Sequence, residues 1–314
     1  MVPLSRIRIY NTGMHLHSRA LLHFETIRRA NSIREAARQL HLSSSALNRQ
    51  LLALESEIGH PLFERLPGGL KLTHAGEILS RHVITVMQDA QRMTQDLDAL
   101  RGVRRGVVDL LTVESLTADF IPQILQEMAR RYPSIELRVR ITGSVEAANQ
   151  VSQGHADIAI CFLRNRIENL SQISAARFPL GVIVSPEHVL AKHKSVTLTD
   201  ALQHKLVLPT HELALYDDIS ALLSDYRGDL DVALRTGSFE LMRQFTIQRN
   251  CLALVNCFGI EKEVQAGCLI FIPLRKTVLF NLGIYVRAER ALSPALDAFV
   301  EIASDEVQKR KCAN

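Results

Sequence analysis

Ser32-Ile33-Arg34-Glu35-Ala36-Ala37-Arg38-Gln39-Leu40-His41-Leu42-Ser43-Ser44-Ser45-Ala46-Leu47-Asn48-Arg49-Gln50-Leu51 decides how the amino-terminal part of this 314-residue chain folds. Ser32, three places before Glu35, has the form of a capping box: the hydroxyl accepts from the Glu35 amide while the carboxylate reaches back. Ala36, Ala37 and Leu40 then make a small-residue face that another helix can approach closely. His41-Leu42 breaks the helix, and Ser43 is placed to cap the next one. On that helix Leu47, Leu51, Leu54 and Ile58 share one face, and Gly59 is a natural stop.

A preceding helix from Ser18 to Ala30, with Leu21, Leu22, Phe24 and Ile27 on its apolar side, completes a helix-turn-helix pattern. Ser44, Ser45, Asn48 and Arg49 turn away from the apolar face, beside the capping Ser43. Short hydrogen-bonding groups and a guanidinium suit base edges in a DNA groove, and they equally suit an ordinary solvated helix face. The next dozen residues favour DNA. Leu62 to Leu66, Pro67-Gly68-Gly69, then Leu70 to Thr73 read as a hairpin wing carrying Arg65 and Lys71, cations that would grip phosphates.

Past the wing, Leu79, Val83, Val86, Ala90, Met93, Leu97 and Leu100 recur at alternating spacings of four and three. A stripe of this kind predicts a helix that pairs with a second copy through residues 75–101. Thr73 caps it, and Arg101 to Gly106 lose all periodicity and read as a hinge.

Charge agrees with a nucleic-acid-binding head. Residues 1–105 carry 15 Lys+Arg against 9 Asp+Glu, whereas the rest of the chain is slightly acidic. No apolar run is long enough for a bilayer, and Arg6 and Arg8 interrupt the start, so a secretory signal is not expected and the expected location is cytoplasmic. Five cysteines without CxxC spacing read as reduced thiols, with a Cys251–Cys257 redox switch as the alternative. No metal-ligand spacing and no cofactor motif is present, so no cofactor is expected.

Ala36 to Ser43, Ala46-Leu47-Asn48-Arg49-Gln50-Leu51, Leu54-Glu55, Gly59, Pro61 to Arg65 and Leu72-Thr73-His74-Ala75-Gly76 resemble the head of LysR-type transcriptional regulators. The resemblance is close over residues 15–100 and looser to about 302. Departures are Ser44-Ser45 where the family often has Gln then Pro, Asn48 where it has Ser, and Gly68-Gly69 at a wing tip that is frequently basic. The resemblance implies a multi-domain α+β chain. An extension over 1–13 precedes a winged helix-turn-helix over 14–73, and a dimerising linker helix over 74–101 leads to an effector-binding domain over 102–314. That domain would be a two-lobed, periplasmic-binding-protein-like α/β fold, lobe I over about 106–178 and 279–302, lobe II over about 179–278. Ser43, Ser44, Ser45, Asn48, Arg49, Arg65 and Lys71 would face double-stranded DNA. Further implied partners are a small-molecule effector, a second copy of the chain in a dimer or dimer of dimers, and RNA polymerase.

From Val107 the pattern itself changes to strands alternating with helices. Strands are expected at Val107–Val113, Leu137–Ile141, Ile158–Cys161, Pro179–Val184, Leu206–Leu208, Val232–Arg235, Leu252–Val255 and Gly283–Val286. Helices are expected at Thr117–Arg131 and Val145–Gln153, and the whole predicts a mostly parallel sheet. Such sheets bind ligands at strand carboxyl ends. That directs attention to Ser115 and Thr117 after the first strand and to Thr142 and Ser144 after the second. Thr210 and Arg249 belong to the second lobe. An anionic or polar effector fits these hydroxyls and the guanidinium, although helix capping explains the serines equally well and Arg249 also reads as a solvated helix-end cation. An α/β enzyme with an accessory head competes with the regulator, but nucleophile-elbow, zinc-protease and phosphate-loop motifs are all missing.

Overall fold

The apolar side chains of Phe24, Ile27, Ala36, Ala37, Leu47, Leu51 and Leu54 form one buried cluster, enclosed by α1 (Arg19–Ala30), α2 (Ile33–Gln39) and α3 (Ser44–Ile58). A computed structural model describes residues 19–100, 105–213, 215–276, 278–288 and 291–312. The extension over 1–13, the predicted start at Ser18 and most of the hinge therefore lie outside the described residues. Two compact units emerge, Met1–Thr94 and Gln95–Asn314.

Half of the expected capping box forms. Ser32 Oγ accepts from the Glu35 amide at 3.4 Å, but the Glu35 carboxylate accepts from Arg38 at 2.8 Å and Gln39 at 3.0 Å instead of reaching back. A charged donor one turn ahead outcompetes a neutral amide behind. His41 takes a left-handed φ of 55° and turns the chain, and Ser43 Oγ accepts from the Ala46 amide at 3.2 Å. Ile58 departs from expectation and is exposed, because α3 outruns the core in its last turn before Gly59.

β1 (Phe63–Leu66) and β2 (Gly69–Leu72) pair antiparallel as the wing, with Glu64 opposite Lys71 and Arg65 opposite Leu70. The Glu55 carboxylate accepts from the Leu62 amide at 2.7 Å and fixes the wing to α3. The wing is followed by α4 (His74–Leu100), whose Gly76 amide donates to Thr73 Oγ1 at 3.0 Å. A Cβ on Gly76 would lie 2.1 Å from the Leu62 carbonyl oxygen, so only glycine lets α4 approach this closely.

The heptad stripe on α4 is divided in use. Val83 is fully buried in the head's own core with Met87, and Leu79 packs against the same cluster. These positions face their own chain, not a partner. Val86 and Ala90 are half-buried, while Met93 and Leu97 are exposed at 37% and 45%. The Leu100 side chain lies outside the described residues.

The second unit begins with β3 (Gly106–Thr112), α5 (Phe120–Arg131), β4 (Ile135–Ile141), α6 (Ser144–Ser152) and β5 (Ile158–Phe162), a parallel set ordered β4-β3-β5. β6 (Leu170–Val184) leads to α7 (Leu198–Ala201), β7 (Leu206–Pro209), α8 (Tyr216–Leu223), β8 (Val232–Thr236), α9 (Phe239–Arg249), β9 (Leu252–Asn256), α10 (Glu261–Gln265) and β10 (Ile270–Pro273). β11 (Leu279–Arg287) and α11 (Pro294–Cys312) return to the first lobe. The sheet is mixed, not mostly parallel. β6 runs antiparallel to β11 through Pro179, then to β9 and β10 from Leu180 onward.

β6 starts nine residues before the expected Pro179, because Ser171, Gln172, Ser174 and Arg177 hide its extended pairing behind polar residues. It is the strand that passes from one lobe to the other. Phe120, Phe162, Phe178 and Phe258 pack edge to face at this crossing, with Phe178 and Phe258 centroids 4.6 Å apart. α11 continues to Cys312, ten residues past the expected end of lobe I.

Candidate functional site

Ser44, Ser45 and Arg49 are exposed in the first turns of α3, and Asn48 is half-buried beside them. The Ser43 cap fixes this start, its Oγ 3.2 Å from that of Ser45. Arg65 Nη2 donates to Asn48 Oδ1 at 2.9 Å, tying the wing to α3. With its oxygen engaged, Asn48 keeps its NH2 group to donate, as recognition of a purine N7 requires. The two wing cations, Arg65 and Lys71, lie on opposite faces of the ribbon. Alternation along the strands puts Arg65 on one face of the ribbon, and Lys71, opposite Glu64, on the other.

At the strand ends of the second unit, Glu114-Ser115-Leu116 make one tight helical turn after β3. Ser115 is buried, but the turn starts from Val113 and α5 from Asp119, so Ser115 caps neither. Thr117 Oγ1 donates to the Glu114 carbonyl at 2.7 Å. The Glu114 carboxylate reaches into the other lobe, where it accepts from Ser238 Oγ at 3.2 Å, the Phe239 amide at 3.0 Å and the Glu240 amide at 3.3 Å. An anion therefore already sits at the start of α9, where unpaired amides and the helix dipole favour it.

The remaining sequence candidates are scattered in role. Ser144 is the first residue of α6 behind a Gly143 cap, and its Oγ accepts from the Phe162 amide at 3.2 Å, tying α6 to β5. Thr142 is half-buried, its amide donating to the Thr112 carbonyl at 2.9 Å. The Thr210 hydroxyl donates to the Glu212 carboxylate. Arg249 does not join them. It is exposed at the last position of the eleven-residue α9, about 16 Å along the axis from the Glu114-bound start, where a cation complements the dipole.

Two further ties between the lobes had no sequence signal. Arg164, just past β5, pairs with Asp218 of α8 at 2.6 Å; burial pushes the Asp218 carboxyl up against the opposing pull of Arg164. Arg310 of α11 pairs with Glu261 at 2.6 Å and with Asp119, over the faces of Phe120 and Phe258. Burial likewise pushes Glu261 up.

Burial pushes the Cys161 thiol up to about 12 and raises that of Cys251. Cys251 and Cys257 flank β9, which holds them roughly 15–20 Å apart, so a disulfide would require that strand to leave the sheet. Among the described residues no cluster of His, Cys, Asp and Glu could hold a metal, and no helix is long and apolar enough to cross a membrane.

Residues 18–77 match the family described as bacterial regulatory helix-turn-helix protein, lysR family, and residues 101–308 match the LysR substrate binding domain. A RuBisCO operon transcriptional regulator of Allochromatium vinosum is 27% identical over 304 residues, 95% of this chain and 99% of the relative. The transcriptional activator CmpR of Synechocystis is 26% identical over 264 residues, 81% and 84% of the two chains. Full-length OxyR of Pseudomonas aeruginosa superposes with a TM-score of 0.70 at 17% identity, covering 94% of this chain and 95% of that one. Full-length CbnR complexed with its target DNA gives 0.55 at 20% identity, covering 92% and 99%. At such identities the superpositions speak to the fold alone.

Proposed function

Because the chain belongs to the LysR family, whose members are DNA-binding transcriptional regulators with an effector-binding domain and not enzymes, we propose that it reads double-stranded DNA through the start of α3. Ser44, Ser45, Asn48 and Arg49 enter the major groove, and Lys71 and the wing meet phosphate. The observation that carries this reading is the exposed first turn of α3, held by the Ser43 cap and braced by the bond from Arg65 to Asn48. In this reading residues 14–73 are the reading head, 74–101 the linker and 102–314 the effector domain of a cytoplasmic regulator that acts on RNA polymerase.

The carboxyl-terminal part of α4 joins two copies through Met93 and Leu97, with Val86 and Ala90 beside them, and dimers pair further into tetramers. A polar or anionic effector binds at the corner of Ser115, Thr142 and Thr210. An anionic effector reaches the α9 amides only by displacing the Glu114 carboxylate that now holds them. Such a ligand acts through its differential affinity for two lobe arrangements.

A DNA-shift assay with the promoter fragment adjoining the gene tests the function, and sedimentation tests the assembly. Leu97→Lys is expected to dissociate the dimer with the fold intact, since a lysine in an apolar seam is costly only when a partner buries it. Val83→Lys is expected to unfold the head itself. A Leu97→Lys chain that sediments as the wild type does would remove the pairing.

A further inference from the structure

Three arginines, Arg164, Arg166 and Arg177, surround two adjoining cavities where the loop after β5, the crossing strands β6 and β11, and α8 meet. The first, about 340 Å³, is lined by Arg164, Arg177, Asp218 and Asn281 among others. The second, about 500 Å³, shares Leu163, Arg164 and Asn281 with it and adds Arg166 and Gln172. These are volumes of ordinary ligand pockets. The charge balance is one-sided, with Asp218 the lone carboxylate against three guanidinium groups, and it engages only Arg164. Among the described residues neither Arg166 nor Arg177 is paired with a carboxylate. Neither Glu114 nor any of Ser115, Thr142, Ser144 and Thr210 lines either cavity.

We propose that this arginine-lined cavity is a second ligand site, separate from the strand-end corner, that takes a small dianion such as a phosphate monoester or a dicarboxylate. Arg177 offers a planar fork with no carboxylate to satisfy it, and Arg164 becomes a second fork once it leaves Asp218. The exchange matters for shape as well as affinity. Arg164 belongs to lobe I and Asp218 to lobe II, so a dianion that takes Arg164 breaks a tie between the lobes. Ligand occupancy and lobe arrangement are then linked, each biasing the other by the same free energy.

The test uses the full chain, with inorganic phosphate and malonate as probes, each compared with chloride at equal ionic strength by thermal melting. At least one dianion is expected to raise the melting temperature by about 2–5 °C near saturation. Arg177→Gln and Arg164→Gln are each expected to weaken the midpoint concentration about tenfold; both side chains are exposed, so folding is preserved. Asp218→Asn is expected to tighten it several-fold by releasing Arg164, an effect that a merely structural carboxylate would not produce. Arg249→Gln, at an exposed arginine that lines neither cavity, is expected to leave the dianion response unchanged, so that an effect of this site and the loss of any surface cation are told apart. A rise retained in full by both the Arg164 and Arg177 variants would be general salt stabilisation and would overturn the proposal, as would the lack of any rise with either dianion.

Discussion

The starts of α3 and α9 face the same problem, backbone N–H groups that no helical carbonyl can satisfy, and they meet it with different partners. At α3 the neighbouring Ser43 supplies the cap, and Ser44, Ser45 and Arg49 are left facing outward. At α9 Ser238 accepts from the Leu241 amide, and Glu114 arrives from 124 residues away to take Ser238 Oγ and two further amides with it. The α6 start belongs with the second kind, its Ser144 hydroxyl committed to Phe162. An open start is available to an external partner; an occupied one holds the protein's own shape. In the proposed function the head would act by presenting groups outward, and the body would respond when a ligand displaces an internal contact.

Removing the inner contacts should break this contrast most visibly. Glu114→Ala deletes three hydrogen bonds and a charge at a helix start. We expect a loss of about 2–3 kcal/mol in the body, read by thermal melting, together with tighter binding of a carboxylate ligand at the vacated amides. A variant that melts like the wild type would mean the contact does not hold the lobes. Ser144→Ala strands the buried Phe162 amide and should cost about 1–2 kcal/mol with any effector response intact; loss of response at unchanged stability would return Ser144 to the ligand. Ser43→Ala sharpens the other side of the comparison. It should cost about 1 kcal/mol in the head and weaken DNA binding, with the melting of the body unmoved.

Legibility in the sequence divides along the same line. The head is written in local signals: Ser32, the His41 turn, Ser43 and Gly59 each act within four residues, and the structure places each as read, apart from the unreturned half of the Ser32 box. Periodicity on α4 identifies buried positions but cannot say by whom they are buried, which is why Val83 reads as a seam residue although its own head covers it. In the body, strand cores such as Ile158–Phe162 announce themselves by continuous apolar residues, while the polar first half of β6 does not. Glu114 with Ser238, and Arg164 with Asp218, are pairs brought together by the crossing of β6. No spacing in the chain encodes them, whereas the reading of Arg249 as a solvated helix-end cation needs only its own helix and agrees with its exposed place at the end of α9.

DNA reading by the first turn of α3 is tested most directly by a salt titration of promoter-fragment binding. Wild type and Arg49→Ala are compared, with an unrelated fragment alongside. Specific affinity is expected to fall by about 1–3 kcal/mol in the variant, with binding to the unrelated fragment nearly unchanged, because a guanidinium on a base edge discriminates where a phosphate contact cannot. Wild-type affinity for the promoter fragment in Arg49→Ala, or an equal loss on both fragments, would contradict it.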